Sequence, residues 1–115
     1  MVSRGEIYLV DFDPARGSEI QKIRPALVIQ NNIDNQYSSI VIVAAITSSF
    51  GQKLYPTEVF ISAHVSGLGR NSVVQLNQIR AIDKQRLKRR LGVLNVMTMR
   101  QINKAILISL GLIEA

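Results

Sequence analysis

Apolar residues in this chain come in short, dense runs separated by polar turns, and only near the C-terminal end do they recur at helix spacing. Ile7, Leu9 and Asp11 alternate with Tyr8, Val10 and Phe12, a near-continuous run that predicts a strand covered on both faces. Asp13-Pro14 and Gly17-Ser18 then punctuate a loop, and Ala26 to Gln30 predicts a second, short strand. Asn31 to Asn35 is polar and reads as a turn. Ile40 to Ile46 (IVIVAAI) is the strongest strand pattern and is expected at the centre of a sheet. A long stretch of small and polar residues, Thr47 to Pro56, leads to a short strand at Glu58 to Ile61. Gly67, Gly69 and Asn71 mark a turn before two further strands, Ser72 to Leu76 and Ile79 to Ile82, and Asp83 is placed to cap a helical turn running to Leu87.

Beyond this point the period changes. Met99, Ile102, Ile106, Leu110 and Ile113 recur at steps of three and four, which predicts a helix whose apolar face is widened by Leu107, Ile108 and Leu112. Thr98 followed by Gln101 fits a capping box at its start. No repeat, linker or low-complexity segment divides the chain. The expected architecture is mainly β: a single domain over residues 1–115, a small barrel closed by a C-terminal helix.

Composition narrows the classes. The apolar share of 47% suffices for a normal core, and no run approaches the roughly 18 apolar residues of a membrane span. The N-terminal residues carry a strand pattern with Arg4 and Glu6, unlike a secretory signal. With no cysteine, disulfides and thiolate metal sites are excluded, and a soluble cytoplasmic protein is expected. Fourteen Lys and Arg against eight Asp and Glu leave a net charge of +6, which favours a polyanionic partner without choosing among nucleic acid, acidic protein tails and anionic membrane.

Few residues offer chemistry. His64 is the one histidine, so a histidine pair for acid–base work is impossible within the chain, and no carboxylate spacing matches a zinc or calcium site. Gly67-Leu68-Gly69-Arg70 lacks the third glycine and the βαβ context of a dinucleotide loop and reads as a tight turn. Asp11 and Asp13 share one strand face yet sit at a strand end before Pro14, where turn and solubility roles prevail. Arg86, Lys88, Arg89 and Arg90 form either a solvated face of a short helix or a patch that steers phosphates. The apolar face of the last helix is core, with part of it available as a homodimer seam.

Glu19, Arg24 and Thr47 remain. Pro25 excludes the helical region for its predecessor, so Arg24 is presented from extended backbone at the start of a strand. A guanidinium held in this way suits a phosphate, but an ion pair with Glu19 or Asp11 is an equally open reading, and Thr47 could merely end a strand.

In these residues the chain resembles the MazF/PemK family of bacterial toxins. The resemblance rests on RGEIYLVDFDP, on GSE followed five residues later by Arg24-Pro25, on PALVIQNN and IVAAIT, on VVQLNQIRAIDKQRL and on the C-terminal helix, in that order from Arg4 to about Ile113. It implies an SH3-like β-barrel that dimerises, and a ribosome-independent endoribonuclease with RNA in a groove near the dimer interface. It assigns the catalytic pair to Arg24 and Thr47, and contacts with RNA to Ser18, Glu19, Gln78 and Arg80. The substrate it implies is single-stranded RNA read at a short motif. Cleavage would proceed by attack of the 2′-hydroxyl, without cofactor or metal, leaving a 2′,3′-cyclic phosphate or 3′-phosphate and a 5′-hydroxyl. The implied partner is a cognate antitoxin with an acidic, partly disordered tail. Where the family often has a glutamine and two glycines after GSE, this chain has Ile20, Gln21 and Lys22. Two rival functions fit the same fold class: a toxin without nuclease activity that inhibits DNA gyrase, and a basic nucleic-acid-binding barrel.

Overall fold

A computed structural model of the chain describes residues 1–14, 16–19 and 22–115. Six strands form one sheet, joined wholly by antiparallel pairings: β1 (Glu6–Asp11), β2 (Ile23–Val28), β3 (Ile40–Thr47), β4 (Glu58–Ile61), β5 (Ser72–Asp83) and β6 (Leu87–Val93). Their order across the sheet is β4-β5-β3-β2-β1-β6, which places IVIVAAIT of β3 in the interior of the sheet as its apolar pattern requires. The two edge strands, β4 and β6, are not hydrogen-bonded to each other among the described residues, so the small β fold is a coiled open sheet and not a hydrogen-bonded closed barrel. Among the described residues three α-helices complete it: α1 (Asn32–Tyr37), α2 (Ala63–Ser66) and α3 (Val96–Ser109).

Alternation along the strands sorts the core into two clusters. Leu27, Ala44 and Ile46 join Ile7, Val74 and Leu76 against Ile102 and Ala105 of α3. Their immediate neighbours Ala26, Val28, Val43 and Ala45 point to the other face and pack with Val10, Phe12, Val41 and Ile82. Burial on both faces explains why these strands read as continuous apolar runs.

A bulge interrupts the longest strand. On β3 Ala44 faces Ile79, but the next residue, Ala45, faces Gln75, so three residues, Leu76 to Gln78, are extra on β5. The gap in the apolar pattern at Asn77-Gln78 is therefore a bulge within one strand and not a break between two. The odd count also swaps faces: Val74 and Leu76 lie in the first cluster, whereas Ile82 lies in the second. The bulged backbone is tied down, with Leu76 N–H donating to Thr57 O at 2.8 Å and Ser109 Oγ donating to Leu76 O at 2.6 Å.

Elsewhere the structure departs from the pattern in four places. Asn31 to Asn35, expected as a turn, opens α1: Asn31 Oδ1 accepts from Asp34 N–H at 2.9 Å, and buried Asn35 exchanges hydrogen bonds with Gln30. The short helix α2, capped by Ser62, has no periodic signal in the sequence. The basic run after Arg86 is neither a loop nor a helix face but the strand β6, paired with β1 through Tyr8–Arg90, Leu9–Arg89 and Val10–Leu87. Finally, α3 starts at Val96 and its cap is Asn95, whose Oδ1 accepts from Thr98 N–H at 2.8 Å, so Thr98 lies inside the helix and not at its cap. Asp83 does cap a turn as expected, its Oδ1 accepting from Gln85 N–H at 2.8 Å ahead of the 3-10 turn Lys84–Arg86.

Candidate active site

The register of β2 and β3 brings Arg24 and Thr47 together. The β2–β3 ladder ends at Ala26–Ala45, and Arg24 and Thr47 each stand two residues beyond that pair on their own strands. Both line a polar cleft of about 520 Å3, shared with Ser18, Glu19, Lys22, Ser49, Gln75 and Gln78. Of the residues expected to contact RNA, Ser18, Glu19 and Gln78 thus join the pair, and Arg80 does not. The Arg80 guanidinium donates to Phe12 O at 2.9 Å and lies 5.7 Å from the centre of the Phe12 ring, at the root of the loop and outside the cleft lining.

Each side chain is held by its own local structure. Thr47 Oγ1 accepts from Ser49 N–H at 3.1 Å and donates to Ser49 O at 3.2 Å, which fixes the hydroxyl where β3 gives way to the loop. Glu19 Oε1 accepts from Arg16 N–H at 2.6 Å, closing a turn around Gly17, whose φ of +58° suits glycine. Across the cleft, Gln78 Nε2 donates to Ser18 O at 3.1 Å, so the β5 bulge reaches over to support the acidic loop. Lys22 has φ of +65°, the left-handed region that a side chain enters only when its surroundings hold it there. Here Lys22 N–H donates to Asp13 Oδ1 at 2.8 Å, and Lys22 O accepts from Phe12 N–H at 2.9 Å. Asp13 thus serves the loop, as does Asp11, whose Oδ1 accepts from Asp13 N–H at 3.1 Å. The Ile20 and Gln21 positions, where the chain departs from the family pattern, lie outside the described residues.

Arg24 also lines a second cavity of about 420 Å3 on its other side, with Pro25, Ser48, Arg70 and Arg89 among its walls. Lys22, Arg24, Arg70 and Arg89 therefore border two adjoining hollows that meet at Arg24. In the sequence Arg70 belongs to a tight turn and Arg89 to a basic run, and only the pairing of β6 with β1 reveals that they join one surface. His64 sits exposed on α2 and lines neither hollow. Among the described residues no group of three His, Cys, Asp or Glu side chains could hold a metal ion, and no helix is long and apolar enough to cross a membrane.

Residues 3–110 match the profile of the PemK-like, MazF-like toxins of type II toxin–antitoxin systems, and the chain belongs to that family. It is 47% identical over 112 residues to Endoribonuclease MazF of Staphylococcus saprophyticus, covering 97% of this chain and 93% of that protein. In structure it resembles MazF of Deinococcus radiodurans, with a TM-score of 0.82 at 26% identity and 96% of each chain covered. It also resembles a MazE–MazF complex from the same organism, with a TM-score of 0.76 at 25% identity and 96% of each chain covered.

Proposed function

We propose that the protein is an endoribonuclease toxin that cuts single-stranded RNA by in-line attack of a 2′-hydroxyl on the adjacent phosphorus. The observation that carries this reading is that Arg24 and Thr47 line one polar cleft. The new bond joins the 2′-oxygen to phosphorus, and the bond from phosphorus to the 5′-oxygen breaks. The 2′-hydroxyl loses its proton and the departing 5′-oxygen gains one. A 2′,3′-cyclic phosphate and a 5′-hydroxyl result, and water can later open the ring to a 3′-phosphate. Negative charge builds on the non-bridging oxygens, where Arg24 meets it with a planar fork of donors and Thr47 with a hydroxyl. Because the side chains supply this compensation, the reaction needs no metal. DNA, lacking the 2′-hydroxyl, resists.

Arginine stays protonated at ordinary pH, so Arg24 stabilises charge and can donate a proton to the 5′-oxygen, but it is a poor base. Glu19 and Ser18 hold the RNA from the loop, with Gln78 behind them, while Arg80 keeps the root of that loop in place through Phe12. The adjoining basic hollow carries the rest of the strand and accepts the acidic tail of a cognate antitoxin, an assignment supported by the structural likeness to a MazE–MazF complex. The toxin acts as a homodimer in the cytoplasm, where its messenger RNA substrate is found, and thereby blocks translation.

The test is to incubate purified protein with a mixed-sequence RNA in EDTA and map the ends. Cyclic or 3′-phosphate and 5′-hydroxyl ends, lost in folded Arg24→Ala and Thr47→Ala proteins, are the expected result. Failure to cut any RNA, or dependence on a divalent ion, would overturn the mechanism. Binding of RNA and DNA alike without cleavage would favour a plain basic binding domain.

A further inference from the structure

β5 delivers two glutamines to the cleft, Gln75 and Gln78, and the proposed function gives a role only to Gln78. Gln75 immediately precedes the bulge, opposite Ala45 of β3 and Glu58 of β4. Val73 faces Thr47, and Gln75, two residues on, shares that face of β5 and lines the cleft with Arg24 and Thr47. Its Oε1 is buried, and no described residue donates to it. Three polar side chains beside it in the cleft are engaged: Thr47 with Ser49, Glu19 with Arg16, and Gln78 with Ser18. A buried carbonyl oxygen with no donor is uncommon and unfavourable until a partner reaches it. Ala45, directly across, is too small to supply or block one. A carboxamide is neither acid nor base at ordinary pH, so Gln75 has no part in moving protons. What it offers is a donor and an acceptor side by side, the complement of a nucleobase edge.

We infer that Gln75 reads a base: its amide hydrogen-bonds the edge of an unstacked nucleobase next to the scissile phosphate and so sets part of the cleavage motif. The inference rests on the nuclease reading of the cleft. Swinging the amide toward the base brings Oε1 to a base N–H and its N–H to a neighbouring base acceptor, which satisfies the group left unpaired in the free protein. The effect falls on sequence choice, because Arg24 and Thr47 act on the phosphate whichever base stands beside it.

The experiment compares cut-site profiles on a randomised single-stranded RNA for the unmodified protein, Gln75→Leu and Gln75→Glu. In Gln75→Leu, discrimination at one nucleotide position is expected to fall by about tenfold while other positions keep theirs, the size of one lost bidentate contact. Gln75→Glu, nearly the same shape but able only to accept, should move that position toward guanine, whose edge carries two adjacent donors. If Gln75→Leu does not fold, the Gln75→Glu profile decides alone. An unchanged base profile, or a uniform loss of rate at every site, overturns the inference while leaving the nuclease intact. An unmodified protein that cuts no RNA overturns the nuclease reading itself, and this inference with it.

Discussion

Arg24 of β2 and Thr47 of β3 line the same polar cleft, each two residues beyond the Ala26–Ala45 pair at which the β2–β3 ladder ends. The ladder that builds the core therefore also aligns the candidate reacting pair. Arg24 is exposed at the cleft, so truncating it should leave folding nearly untouched. Arg24→Ala is expected to lower the cleavage rate by about 100-fold or more, the usual cost of one preorganised donor to a developing oxyanion. Arg24→Lys should restore only part of it, since an ammonium cannot form the two-pronged contact. Single-turnover rates on one RNA, beside melting curves, check both, and full activity in Arg24→Lys would argue for simple charge attraction.

Thr47 closes the turn to Ser49, and the proposed mechanism gives it charge compensation as a second job. Thr47→Ser keeps the hydroxyl and should retain most of the rate. Thr47→Val, similar in shape but without the oxygen, should lose it while its stability stays within about 1 kcal/mol of the original, the net worth of one ordinary hydrogen bond. Equal activity of the valine and serine proteins would remove Thr47 from the reaction.

Part of this geometry was legible in the sequence, since Pro25 holds the residue before it in extended backbone and IVIVAAIT announces a strand that ends at a hydroxyl, but the joint assignment of Arg24 and Thr47 came from the family resemblance. What escaped the sequence depends on pairing partners far along the chain. Lys88, Arg89 and Arg90 have no strand pattern of their own, and they become β6 only because β1 offers an edge. Charged residues suit that place, since β6 is an outer strand that must not recruit another sheet. The β5 bulge shows as a polar interruption in the sequence, but whether such a gap ends a strand or bends it is decided by Ala44 and Ala45 on the neighbour. Gln75 was overlooked for the same reason, as its place at the cleft depends on that local register.

Gln78 tests whether the bulge supports the acidic loop. Its Nε2 bond to Ser18 O spans 60 residues of sequence and links β5 to the Gly17–Glu19 turn. Gln78→Ala should weaken RNA binding, raising KM severalfold with a smaller change in kcat, because it removes positioning while Arg24 and Thr47 stay in place. A fall in kcat alone at unchanged KM would instead put Gln78 among the groups acting on the transition state.

Gly92 on β6 is set against α2. A Cβ at this position would collide with the carbonyl oxygen of buried Ser66, a backbone atom that cannot swing aside. Gly92→Ala should therefore destabilise the fold by about 1–3 kcal/mol, the cost of overpacking a tight site. Chemical denaturation measures it. The same substitution at Gly51, where a Cβ would meet Lys53 O at an ordinary 3.9 Å, is the control expected to change little.

Tyr8 gives the fold an alkaline limit. Burial, with the Glu6 carboxylate second, holds its phenol above the ordinary value of 10.0, and its hydroxyl donates to Glu6 Oε1 at 3.3 Å. Glu6 is in turn paired through Oε2 with Arg90 Nε at 2.7 Å, which ties β1 to β6. A phenol whose folded pKa lies above the unfolded one contributes stability that is fully present below the unfolded value. That contribution is lost as pH rises through the folded value, because the unfolded chain gives up the proton more readily. In an ultraviolet titration of the folded protein Tyr8 should ionise above the ordinary phenol value, with unfolding free energy declining over the same step. Tyr8→Phe should abolish that step and flatten the alkaline decline, whereas ionisation of Tyr8 at the ordinary phenol value in the folded protein would show that its surroundings do not hold the phenol neutral.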